Sequence, residues 1–362
     1  MKNTFGNNIT ITLFGESHGE SIGCILDGLA PGIKIDNDLI ERMVSLRKPR
    51  GKISTSRHEG DKYRIVSGVF EGVTTGTPIC IIIDNENTRS DDYADLKRIP
   101  RPGHADYTAS LKYHGFQDYR GGGHFSGRIT APLVAAGAIV MQALNNKGIY
   151  IGTHIHKLGD ITDTDFNDYI NDINSLYDRE FPVLDTEAGE KMRKLIESAA
   201  ADGDSVGGIL KTAVAGIPGG IGEPWFDSME SMLSHAIFSI PAVKGIEFGD
   251  GFNLAGMRGS EANDAFRMSG DRVVTATNHN GGINGGITNG MPIEFSTAIK
   301  PTPSIYKEQD SVDLSDNTDT KLTIEGRHDP AIIHRARIVV DAMTALTVAD
   351  MLVTHFGTDY LA

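Results

Sequence analysis

Positive charge is in short supply in this chain. The 34 lysines and arginines face 48 aspartates and glutamates, for a formal net charge of −14. That balance argues against a general nucleic-acid binder. Cysteine is scarcer: Cys24 and Cys80 are the only two in 362 residues, each inside an apolar strand-like run. They exclude a disulfide framework and read as buried thiols in a reducing compartment. Long hydrophobic runs are missing too. The longest, "ITAPLVAAGAIVMQAL", ends after 16 residues, short of the roughly 20 needed for a membrane span. It reads as a buried helix, and no membrane partner is expected. No charged-then-apolar leader opens the chain, and no Pro/Ser-rich linker divides it. The expectation is a cytoplasmic protein forming a single domain over 1–362.

Glycine, by contrast, is abundant, 42 of 362 residues, against a usual share of about 7%. The excess sits in short clusters, where backbone can approach a ligand closely. Between the clusters, β-branched runs predict strands at 8–14, 21–28, 63–70, 77–84, 149–157, 207–216 and 291–299. Apolar periodicity predicts helices at 37–47, 129–146, 186–201, 228–238 and 330–354. Asp227 and Glu230 have capping-box spacing for the fourth helix, and Pro330 suits the first position of the fifth. One echo runs through the chain. "GESIGCIL" (19–26) resembles "GDSVGGIL" (203–210), each followed by a Pro-Gly turn and a helix, then by a Gly-x-Pro-Ile strand start at 75–81 and 289–295. Two similar half-units, roughly 7–150 and 200–300, are expected to pack about a pseudo-twofold axis, with a C-terminal helix 330–354.

Gly15-Glu16-Ser17-His18-Gly19 matches the G-x-S-x-G elbow of serine hydrolases. The elbow needs a helix after the serine, but "ESIGCILDG" alternates like a strand, so a nucleophilic Ser17 is not expected. Polar and basic residues recur among glycines in four further stretches: "RPGHAD" (101–106), "YRGGGHFSGR" (119–128), "NHNGGINGG" (278–286) and "GRHDPAIIHRAR" (326–337). The segment 47–64 is strongly basic within an acidic chain. With Arg101, Arg120, Arg128 and Arg327 it suggests a site for a multiply anionic small molecule, because the planar guanidinium binds carboxylate and phosphate bidentately. A metal site is disfavoured. His18, His104, His124 and Asp329 lack close ligand spacing, and the arginines would repel a cation.

Taken in order, "FGESHG", "RPGHAD", "YRGGG", "NHNGGINGGI", "KPTPS" and "GRHDP" make the chain resemble chorismate synthases from end to end. The resemblance implies an α+β fold, a β-α-β sandwich with helices packed between two antiparallel sheets, and a homotetramer. It implies an anti 1,4-elimination of phosphate from 5-enolpyruvylshikimate 3-phosphate, with reduced FMN as cofactor. Whether NADPH or an external donor reduces the flavin is left open. His104 is implied to be the acid keeping the flavin in its working protonation state, His18 the acid protonating the departing phosphate, and Asp329 the base. Asp329 can equally cap the helix at Pro330. Ser17 and Ser126 are implied to orient the ligands, and Arg47, Arg101 and Arg128 to clamp the substrate. His124, Phe125, Ser126, Pro241, Ala242, Gly285, Lys300, Pro301, Thr302, Pro303, Ser304 and Arg327 match flavin-contacting positions. The chain departs from the usual family pattern at His124-Phe125, Pro241, Ile338 and Asp341. A flavin- or anion-binding module without catalysis is the rival reading.

Overall fold

The computed structural model describes residues 2–51, 53–55, 60–86, 97–324 and 328–362. Two five-stranded antiparallel sheets form the outer layers. The first runs Thr4–Phe5, Thr10–Gly15, Ser21–Asp27, Ile79–Asp84, Tyr63–Ser67 in spatial order. The second runs Val243–Phe248, Ile293–Ile299, Gly208–Ala215, Tyr150–Leu158, Ile161–Thr162. Between them lie the helices Asn37–Arg47, Thr130–Asn146, Met229–Phe238 and Ile333–Phe356. Ile79 and Ile81 of the first sheet and Phe295 and Ile299 of the second bury against this helical layer in one continuous core. The expected α+β sandwich is what the chain forms.

Both sheets follow the same chain path. Strands 10–15, 21–27, 63–67 and 79–84 correspond in order to 150–158, 208–215, 243–248 and 293–299, and in each sheet the fourth strand sits between the second and third. The turns repeat as well. Thr74 Oγ1 accepts from Ile33 N at 2.9 Å and donates to the Ala30 carbonyl at 2.6 Å. Thr288 Oγ1 accepts from Ile221 N at 2.9 Å and donates to the Pro218 carbonyl at 2.7 Å. The two long helices approach closely at Gly137, where a Cβ would lie 2.4 Å from the Ala342 Cβ. The strands of the second sheet begin at Tyr150, ahead of the 200–300 span expected for the second half-unit.

Three local expectations change. The last helix starts at Ile333, so Pro330 lies outside it and no side chain caps it. The 229–238 helix is capped by Ser228, whose Oγ accepts from Ser231 N, while Asp227 ends a preceding turn. Helices Asp106–Tyr113 and Tyr169–Leu176 were not anticipated. The segment Gly127–Asn146 reaches 20 residues and is long and apolar enough to cross a membrane. Its apolarity is explained by burial on all sides, since a helix sandwiched between two sheets has no polar face. Ile338 and Asp341 lie in the buried C-terminal helix. Asp341 accepts from Thr153 Oγ1 at 2.6 Å, and burial pushes its carboxyl up to about 6 against the opposing pull of Arg337 and Thr153. The chain's two ends meet at Asp350, whose carboxylate accepts from the backbone N–H of Asn7, Asn8 and Ile9 at 2.9, 2.7 and 2.8 Å.

Candidate active site

Strands Thr10–Gly15 and Ser21–Asp27 pair up to Gly15 and Ile22, and residues 16–20 make the turn. The chain turns at Gly15 with φ +94°, a conformation that favours glycine. A strand, not a helix, follows Ser17. Ser17 and His18 at the tip are buried rather than solvated. Ser17 Oγ donates toward the carbonyls of Arg120 (3.2 Å) and Gly121 (3.1 Å). Its single proton being so used, the 3.1 Å contact with His18 Nδ1 requires that nitrogen to carry hydrogen and donate to Oγ. Ser17 Oγ thus ties the imidazole to the glycine run.

The carbonyls that hold Ser17 belong to a glycine run in which Gly121, Gly122 and Gly123 have φ of 60°, 87° and 53°. A Cβ on Gly121 would lie 2.1 Å from His18 Cε1, and one on Gly122 would lie 3.3 Å from His104 Cε1. The close approach anticipated for a ligand is made first to the two histidines. One glycine run separates them. His124 Nδ1 donates to the Gly15 carbonyl at 2.8 Å, tying the run to the first strand.

His104 is set by a neighbour that the sequence reading passed over. Its Nδ1 donates to Asp106 Oδ1 at 2.7 Å. Arg101 grips the same carboxylate through Nε at 2.7 Å and Nη2 at 2.8 Å. Burial works to raise the Asp106 carboxyl, but the Arg101 and His104 bonds outweigh it and hold it well below the usual carboxylate range. A carboxyl depressed in the folded state contributes stability that is complete above its unfolded pKa, about 4, and lost as pH falls below it. Asp106→Asn is therefore expected to lower Tm at pH 7, with the gap to wild type narrowing as pH falls through about 4 toward 2. Thermal melts of both proteins across that range check it.

The 300–304 loop packs against this turn. Lys300 Nζ donates to the Gly103 carbonyl, and a Cβ on Gly103 would lie 3.3 Å from Pro303. Thr302 accepts from Ser205 Oγ through its carbonyl, and Ser304 is buried. Lys300 N donates to the Ala242 carbonyl at 3.0 Å. Ala242, just after Pro241, holds φ +74° without being glycine, a strained conformation of the kind found at ligand sites. Phe125 is half-exposed and meets Tyr113 edge-on at 6.1 Å. A cleft is lined by His104, Asp106, Gln117, Tyr119, Gly122 and Phe125. Ser126 Oγ accepts from Arg128 N.

The arginines expected as an open clamp meet carboxylates of the chain itself. Arg47 Nη2 donates to Asp61 Oδ2 at 2.7 Å, and Arg128 Nη1 donates to Asp61 Oδ1, all three side chains being buried. Arg128 Nε also donates to Asn85 Oδ1 at 2.6 Å. Asp329 does not cap a helix. It accepts from Thr55 N at 2.9 Å and from Arg335 Nη1 at 2.7 Å. Arg335 in turn donates to the Arg47 carbonyl at 2.7 Å, joining Asp329 to the Arg47 group. Gly285 lies apart in the 283–288 hairpin, with φ +63° and open space where a Cβ would be. Arg327, and residues 52 and 56–59 of the basic segment, lie outside the described residues. Asp106, Asp61 and Asn85 were missed as site residues. Only Asp106 carried a signal, a carboxylate two positions from a histidine. Among the described residues no group of three or more histidines, cysteines or carboxylates could hold a metal ion.

The profile of the chorismate synthase family matches residues 9–353. A chorismate synthase of Pyrococcus abyssi is 44% identical, the match covering 96% of both chains. One from Lachnoclostridium phytofermentans is 46% identical over 99% of this chain and 97% of its own. A solved structure described as a crystal structure of chorismate synthase superposes with a TM-score of 0.76 at 26% identity, covering 98% of this chain and 95% of the other.

Proposed function

The chain belongs to the chorismate synthase family, and from that premise we propose how its residues divide the work. The reaction is the elimination of phosphate from 5-enolpyruvylshikimate 3-phosphate to chorismate, a carbon–oxygen lyase step that closes the shikimate pathway toward the aromatic amino acids. A C–O bond breaks with its electron pair leaving on phosphate, and a ring C–H bond breaks elsewhere. His18 gives a proton to the departing phosphate. Asp329, held by Arg335 and Thr55, would serve as the base through the ring nitrogen of bound flavin. Arg47, Arg101 and Arg128 supply the positive field that two carboxylates and a phosphate require, since burying them unpaired is prohibitive.

The chain also fits a flavin mononucleotide. Burial, with Lys244 nearby, lowers the Lys300 pKa, and a bound phosphate would offset that neighbouring positive charge. Ala242 and residues 301–304 pack around it, and Gly285 leaves open backbone. Reduced FMN bound there would supply a transient electron with no net redox change. His104, oriented by Asp106, holds the proton that maintains the reduced form. The chain works in the cytoplasm as a homotetramer. Exposed Trp225, Phe226 and Phe252 support assembly, since large exposed apolar groups mark interaction surfaces.

The observation that carries this reading is the pair of oriented histidines on either side of one glycine run. The test is an anaerobic assay with chemically reduced FMN and 5-enolpyruvylshikimate 3-phosphate, following phosphate and chorismate. Both products appear only with reduced flavin. Arms with oxidised flavin, with and without NADPH, separate self-reduction from an external donor. Folded protein that binds flavin yet releases no phosphate would leave a binding module. His18→Ala and His104→Ala are each expected to lose at least about tenfold in turnover. Wild-type turnover in either variant removes that residue from the mechanism.

A further inference from the structure

Asn85 follows the strand Ile79–Asp84 directly and lies level with the turn that carries His18. Its backbone N–H donates to the Glu20 carbonyl at 3.0 Å. Its side-chain Nδ2 spends both hydrogens on that turn, one on the Glu16 carbonyl at 3.0 Å and one on the Gly19 carbonyl at 2.8 Å. Its Oδ1 accepts from Arg128 Nε at 2.6 Å. The amide cannot be turned over, because Oδ1 would then face two carbonyl oxygens and Nδ2 a guanidinium. Within the turn itself, Gly19 N donates to the Glu16 carbonyl at 3.0 Å. The two carbonyls bracketing Ser17 and His18 are therefore held from outside, by one side chain that also fixes the arginine.

We propose that Asn85 is a positioning residue that locks the His18 turn and the Arg128 guanidinium into one unit, so that the acid and the substrate's anionic groups keep register. Two donors and one acceptor are needed at this length, and asparagine supplies them. Aspartate keeps the acceptor for Arg128 but sets a carboxylate oxygen against two carbonyls. Alanine removes both functions. The proposal rests on the reading of His18 as the acid.

The test uses the full-length enzyme with reduced FMN and 5-enolpyruvylshikimate 3-phosphate in anaerobic steady state. Asn85→Asp is expected to lower kcat at least about tenfold, since a misplacement of order 1 Å far from the chemistry is enough for that, while KM stays within about threefold. Asn85→Ala is expected to lower kcat similarly and to raise KM about tenfold as Arg128 loses its Nε partner. A merely structural role would move Tm in both variants with no such split. Wild-type kcat in both, or equal KM changes in both, overturns the proposal. Should Asn85→Asp fail to fold, Asn85→Ser, with one donor in place of two, gives the same comparison with Asn85→Ala. His18→Ala run alongside separates the two ideas. If it alone retains activity, the acid assignment fails. If it loses activity and Asn85→Asp does not, only the role of Asn85 fails.

Discussion

Gly121→Ala is expected to fold and to lose about a hundredfold in kcat, as a displacement of order 1 Å at reacting groups does. The added methyl would stand 2.1 Å from His18 Cε1, 2.2 Å from Nδ1 and 2.7 Å from Ser17 Oγ, all well inside contact distance. The ring cannot simply step back, because Ser17 Oγ and the carbonyls of Arg120 and Gly121 fix its inner edge. The backbone adds a further cost of about 1–2 kcal/mol for a side chain in the left-handed region. The two contributions separate with a control. Gly220 has φ +97° and nothing within 4 Å of a Cβ, so Gly220→Ala carries the backbone strain without the clash. Its Tm should fall comparably while kcat stays at the wild-type value. If Gly121→Ala turns over within about threefold of wild type, the His18 ring position does not govern the chemistry.

Asp61→Ala is expected to destabilise the fold by about 3–5 kcal/mol, the cost of leaving a buried ion group without its partner. The Asp61 side chain is wholly buried, and those of Arg47 and Arg128 are 7% and 4% exposed. One carboxylate thus lies between two buried guanidiniums, and its removal takes that negative charge from both. Urea unfolding at pH 7 measures the loss. Inorganic phosphate should restore part of it in the variant and little in wild type, because an anion bound only by the folded state stabilises it by mass action. Removing Asp310, which meets Lys321 at the exposed surface, should leave unfolding essentially unchanged. A small effect of Asp61→Ala together with no response to phosphate would mean that the arginines find other partners.

These two residues also mark the boundary of what the sequence conveys. Strands such as 79–84 and helices such as 37–47 could be read because alternation and apolar spacing are local properties. The octapeptide echo falls at the second of the four corresponding strands in each sheet, where the chain paths are alike. The helix Asp106–Tyr113 could not be read, because it is eight residues long and begins inside a Pro-Gly motif that reads as a turn. His18, His104, Ser17 and Ser126 stood out as polar residues among glycines. Their supports did not. Asp61 lies in a segment dominated by basic residues, where one carboxylate looks like charge balance, and it meets Arg128 67 positions away. Asn85 resembles any residue closing a strand. The arginines were countable, but the carboxylates they meet are fixed by tertiary structure. The same holds for Asp329, where a nearby proline suggested a cap and the helix starts one turn later.

The carboxylate of Asp350, clasping the backbone of residues 7–9, sets an order on biosynthesis. A ribosome adding about 5–20 residues per second delivers residue 350 roughly 20–70 s after residue 9 has been made. Until then the backbone of residues 7–9 lacks the carboxylate that anchors it. The nascent amino end is thus a late-closing edge, and the interval before closure is when a chaperone or a neighbouring nascent chain would find it.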